Sequence, residues 1–124
     1  MSFNAKRNDP SKFTEGTWVN ILGGQFKVAR AGSAEYEKAL EDCGYRKQEE
    51  PQAKQEALYT AIATGILRDW REVVDCNDKT IPYSVENAVE VMLENPDLVG
   101  RILNEASDLA NFRREDLENQ KKKQ

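Results

Sequence analysis

Apolar residues recur along this chain in two rhythms, and the change from one to the other divides it. Residues 1–16 are polar and turn-forming, with Asn8-Asp9-Pro10-Ser11 at their centre and only Phe3 and Phe13 as apolar anchors, which predicts a flexible N-terminal arm. Thr17-Trp18-Val19-Asn20-Ile21-Leu22 and Gln25-Phe26-Lys27-Val28-Ala29-Arg30 then flank Gly23-Gly24. Two glycines can both adopt the positive φ of a tight turn, so a β-hairpin is predicted there. Side chains alternate along a strand, so Phe26 and Val28 share one face of the second strand and Lys27 and Ala29 the other. A lone hairpin is marginal in water and must lie on something apolar.

Beyond Gly32 the rhythm becomes helical. Ser33 can cap a short helix carrying Tyr36, Ala39, Leu40 and Cys43, and Gly44 stops it. A polar stretch leads to a longer helix starting near Pro51, on which Leu58, Ala61, Ile62, Ile66 and Val73 form a stripe with Tyr59 and Trp70 at its margins. A turn at Asp75-Cys76-Asn77-Asp78-Lys79 is followed by the extended tripeptide Ile81-Pro82-Tyr83, where proline biases Ile81 away from helix. Ser84 opens a helix with Val85, Ala88, Val89, Met92 and Leu93 as buried candidates. Asn95-Pro96 opens another, whose stripe runs through Leu98, Val99, Ile102, Leu103, Ala106, Leu109, Ala110 and Phe112. The expected fold is mainly α, an N-terminal β-hairpin packed on a small bundle of about four helices. One domain over 17–113 lies between the arm and a charged, frayed tail at 114–124.

Composition narrows what such a domain does. A chain of 124 residues has the size of one domain, and 39% hydrophobic against 32% charged residues gives a modest core with charged ends. No apolar run approaches the roughly 20 residues of a membrane-spanning helix, and the start lacks the apolar stretch of a signal peptide, so the expected location is cytoplasmic. With a net charge of −4 and scattered basic residues, nucleic acid is a poor partner. Cys43 and Cys76 are far apart and the chain has no histidine, so no metal site or thiol catalyst is expected.

Candidate chemistry gives way to plainer accounts. Asp69 and Glu72 lie beside Arg68 and Arg71, the mixture of a solvated charged face. Asp75, Asn77 and Asp78 alternate as calcium ligands do, but Lys79 follows, no glycine stands in the required place and no glutamate closes a loop of about twelve residues, so a plain turn is expected. Gly23-Gly24 lacks the Lys-Ser/Thr of a phosphate loop. Ile81-Pro82-Tyr83 either plugs a core or offers an edge to a partner. No catalytic residue and no cofactor is expected.

Taken together, Trp18, the segment Phe26-Lys27-Val28-Ala29-Arg30-Ala31-Gly32, Leu67-Arg68-Asp69-Trp70, the segment from Ile81 to Ala88 and the closing Ala106-Ser107-Asp108-Leu109-Ala110-Asn111-Phe112 resemble the tail assembly chaperones of long-tailed bacteriophages. The resemblance runs from about Trp18 to Phe112. It implies a non-enzymatic, self-associating protein of the host cytoplasm that coats the helical tape-measure protein, keeps it soluble, helps recruit tail-tube subunits and is absent from the finished virion. It also implies a second, longer product made by a minus-one frameshift, for which Lys121-Lys122-Lys123 offers a slippery run if written in AAA and AAG codons and is otherwise a solvated basic tail. A structural virion component, for tail completion or head-tail joining, is the alternative. Trp18, Phe26, Ile81, Pro82 and Tyr83 are the expected partner-binding residues.

Overall fold

The computed structural model describes residues 2–113. In chain order the elements are α1 (Pro10–Glu15), β1 (Thr17–Ile21), β2 (Gly24–Val28), α2 (Ala34–Asp42), α3 (Pro51–Gly65), β3 (Leu67–Arg71), α4 (Val85–Glu94) and α5 (Pro96–Ser107), with 3-10 turns at Tyr45–Lys47 and Leu109–Phe112. The expected mainly α bundle of about four helices is thereby corrected. This is an α+β fold with five α-helices among the described residues and a three-stranded antiparallel sheet in the order β1-β2-β3. The N-terminal hairpin does pack on helices, through Ile21, Phe26 and Val28 against a core shared with Ile62, Met92 and Ile102. The expected tail at 114–124, with Lys121-Lys122-Lys123, lies outside the described residues.

The third strand explains the difference. The last amide of α3 to bond within the helix is that of Ile66, which donates to Ile62. The chain then runs back along β2, pairing Leu67 with Val28, Asp69 with Lys27, Trp70 with Phe26 and Arg71 with Gln25. Between the first two pairs the register shifts, because Arg68 is an extra residue, a β-bulge. The bulge turns both Leu67 and Trp70 into the core, at 2% and 6% exposure. On the free edge of β3, the Asp69 carboxylate accepts the Trp70 amide at 2.8 Å, so a backbone donor that invites another strand is already engaged.

The hairpin turn sits one residue upstream of the expected glycine pair. Leu22 (φ 50°) and Gly23 (φ 90°) are its central residues, and Gly24 starts β2 opposite Ile21. Positive φ at both centres is the turn whose twist matches that of paired strands, and Leu22 occupies a conformation that costs a branched L-residue about 1 kcal/mol.

The segment read as an arm contains α1, capped by the Asp9 carboxylate on the Ser11 amide. Phe13 lies edge-on to Phe112 with ring centres 5.7 Å apart, the Asp9 amide donates to the Phe112 carbonyl at 2.7 Å, and Asn8 bridges Arg113. The two ends of the described chain are thus tied together. Ser33 and Ser84 cap α2 and α4, through the amides of Tyr36 and Asn87. Asn95 does not cap α5; its side-chain amide donates to Val91 and closes α4 instead. On α4, Ala88 and Met92 are buried while Val85 and Leu93 remain exposed. The stripe of α5 stops at Ser107, after which Leu109 and Ala110 face outward and only Phe112 turns in.

Candidate functional site

The five residues expected to bind a partner do not form one surface. Alternation along the strands puts Trp18 on the outer face of the sheet, opposite Lys27 and half-covered by the Arg71 guanidinium, which lies 3.7 Å from its ring centre. Phe26 points the other way and is 4% exposed, edge-on to Trp70. Ile81 spans the core margin. Its amide donates to Val73 at 2.8 Å and its carbonyl accepts the Trp70 indole N–H at 2.8 Å. Pro82 is exposed, and its carbonyl takes a hydrogen bond from Asn87.

Tyr83 is half-buried, and its hydroxyl is tied into the interior by hydrogen bonds. Its ring meets Trp70 edge-on at 5.1 Å, and its hydroxyl reaches the Ala63 carbonyl at 2.6 Å and the Leu67 carbonyl at 3.3 Å. One side chain therefore joins the end of α3, the start of β3 and the indole between them. Burial pushes the phenol up to about 12, with Arg68 opposing and Asp69 adding to the shift. Because the folded value lies above the ordinary 10, the linked stability is complete below pH 10 and is lost as pH rises towards 12. Urea unfolding at neutral pH and at about pH 11 checks this: the alkaline loss should shrink in Tyr83→Phe. The same variant should cost about 1 kcal/mol at neutral pH, the worth of the hydrogen bond.

An open apolar cleft lies where the hairpin tip meets the chain leaving β3. Its floor is Phe26, Val91 and Leu98, its mouth is Leu22 and Val74, and its volume is about 400 Å³. Two backbone reversals shape it. Leu22 at positive φ lifts its side chain out of the turn, and Glu72 at φ 59° swings the chain out of β3 so that Val74 faces the same opening. The Val74 segment is held by its bridge to Thr80 and by Asp75, whose carboxylate accepts the amides of Asn77 and Lys79. Leu22 and Val74 are 60% and 46% exposed, and against the buried floor they offer a vacancy for an apolar side chain.

Sequence reasoning reached Phe26 but not Leu22, Val74, Val91 or Leu98. The available signal was the leucine itself, an aliphatic residue beside two glycines at a position that ordinarily takes Asn, Asp or Gly. Replacing it with Asn keeps the turn and relieves the strain, so Leu22→Asn should raise stability by about 1 kcal/mol in urea unfolding.

The described residues contain no cluster of His, Cys, Asp and Glu able to hold a metal ion, and no helix of theirs is long and apolar enough to cross a membrane. Fold and cleft define a small α+β protein with an open, largely apolar cleft beside its hairpin turn. A family model of YdaY prophage proteins matches residues 26–123, and the chain belongs to that family; it is a protein of phage origin. No curated protein and no solved structure matches it.

Proposed function

We propose that this prophage protein is a tail assembly chaperone that binds the tape-measure protein in the host cytoplasm and keeps it soluble, by contact alone and without catalysis. The observation that carries the reading is Leu22, an aliphatic side chain presented to solvent at the mouth of an apolar cleft by a backbone conformation that strains it. Strain is retained where the surrounding structure over-determines it, and such places cluster at binding sites. A tape-measure protein is a long helical chain with apolar stripes, and such a stripe docks by seating side chains three and four residues apart in a groove of this kind. Phage origin and the resemblance of the motifs around Trp18, Trp70 and Tyr83 to tail assembly chaperones support the same reading. Copies of the chain along one client provide the self-association.

Co-expression with the tape-measure protein of the same prophage tests it. The wild-type chain should raise the soluble fraction of the partner and co-purify with it. Leu22→Asn combined with Val74→Glu should unfold as cooperatively as the wild type yet lose the partner. Retained binding by the double variant would remove the cleft from the account. An insoluble partner beside a soluble wild-type chain, with this protein detected by mass spectrometry in purified particles, would replace the chaperone with a structural virion component.

A further inference from the structure

At the end of the β1–β2 hairpin remote from the cleft, the fold gathers cations. Asn8 bridges Arg113, the Lys12 ammonium donates to the Arg113 carbonyl at 2.9 Å, the Arg30 guanidinium lies over Phe13, and Arg68 donates to the Thr14 carbonyl at 2.9 Å. Arg7 precedes Asn8 in the chain. The carboxylates of this stretch are Asp9, whose oxygen accepts both the amide and the hydroxyl of Ser11, and Glu15. A strongly basic corner therefore stands in a chain whose net charge is −4.

Three polar atoms of this corner are buried with no hydrogen-bond partner: Nε of Arg7, Oδ1 of Asn8 and Nε of Arg113. Neither guanidinium forms an ion pair among the described residues. A buried N–H of a charged group without an acceptor is among the costlier defects a fold can carry, and the orphans of Asn8 and Arg113, which stand across one bridge from each other, call for a missing partner. Asn8 and Arg113 oppose each other across an antiparallel bridge, so their side chains leave the backbone on the same side. The oxygen and nitrogen of the Asn8 amide are interchangeable in such an assignment; turned over, the amide becomes a donor beside the guanidinium.

We propose that Arg113, Asn8 and Arg7 form a binding site for the side-chain carboxylates of an acidic protein segment. The donors are side-chain guanidinium and amide groups, the set that meets a carboxylate in charge-assisted pairs. The start of α1 offers no second anion site beside them, because Asp9 already holds the Ser11 amide. The site stands apart from the cleft and does not rest on the chaperone reading. Carboxylates have two sources, the run Glu115, Asp116 and Glu118 that follows Arg113 in the sequence and an acidic stretch of a partner.

The test is calorimetric titration of the full chain with hexaglutamate, with inorganic phosphate in parallel, at low and high salt. A companion variant, Glu115→Gln, Asp116→Asn and Glu118→Gln together, separates the sources: tighter hexaglutamate binding than the wild type shows that the chain's own carboxylates compete for the site, and equal affinity shows a site open to a partner. In either background Arg113→Gln and Arg7→Gln should weaken binding about ten-fold or more. Arg101→Gln, which alters an exposed guanidinium on α5, should leave it unchanged. Salt should weaken it as well. The proposal is overturned by an absence of saturable binding in both backgrounds, by equal weakening in Arg101→Gln, or by phosphate displacing hexaglutamate as the preferred ligand.

Discussion

Gly65→Ala is expected to lower the stability of this protein by about 2–3 kcal/mol, although in an open helix the same change raises it by up to about 1 kcal/mol. The reversal comes from one contact. A methyl group at position 65 would stand 2.6 Å from the Tyr36 Cα and 3.0 Å from its nitrogen, and both are backbone atoms of α2 that no rotamer change can move aside. Either α2 withdraws from α3, opening the small core of Ala39, Leu40 and Ala61, or α3 ends early and pulls on β3. Gly100 supplies the control, since it lies on α5 with nothing near the position of an added methyl group. Gly100→Ala should therefore stabilise. Urea unfolding of the two variants should give shifts of opposite sign, and equal gains would mean that the α2–α3 approach is looser than 2.6 Å implies.

Trp70→Ala should cost more, about 3–5 kcal/mol, a large part of the 5–15 kcal/mol by which a typical domain is stable. The indole fills the space between the Phe26 and Tyr83 rings, edge-on to both, and its N–H is the partner of the Ile81 carbonyl. Removing it leaves a cavity, an unsatisfied carbonyl and a Tyr83 ring without its neighbour at once. Trp70→Phe separates the terms: it keeps much of the aromatic packing and loses the hydrogen bond, for an expected cost of about 1–3 kcal/mol. Denaturation monitored by both fluorescence and circular dichroism measures each value, and a Trp70→Ala protein within 1 kcal/mol of wild type would refute this account of the core.

How far the fold was legible in the sequence depended on whether local spacing and tertiary pairing agreed. At Ser33, Ser84 and Pro51 they did, and helices begin there. At β3 they conflicted. The bulge at Arg68 places Leu67 and Trp70 inward three residues apart, which is helical spacing, and Ile62, Ile66 and Val73 read as one unbroken stripe with Trp70 at its margin although a strand begins at Leu67. The warning was Gly65, an isolated glycine near the end of a helical pattern. The hairpin was legible from its glycines, yet its turn was displaced because Leu22 adopts a backbone conformation that glycine usually supplies. Of the site, Phe26 could be read as an inward residue. The cleft itself joins the hairpin tip, the chain after β3 and the junction of α4 with α5, a meeting that no local pattern records.

The tie between α1 and the turn at Leu109–Phe112 also bears on how the protein is made. Lys12 and Arg113 are 101 positions apart, and a ribosome adding roughly 5–20 residues per second delivers the second of them some seconds after the first. Throughout that interval Phe13 has no Phe112 to meet, Asp9 has no carbonyl to bond, and the seat of a fully buried aromatic ring stands open. The nascent chain thus keeps an apolar seat open until Phe112 arrives, and that arrival closes it.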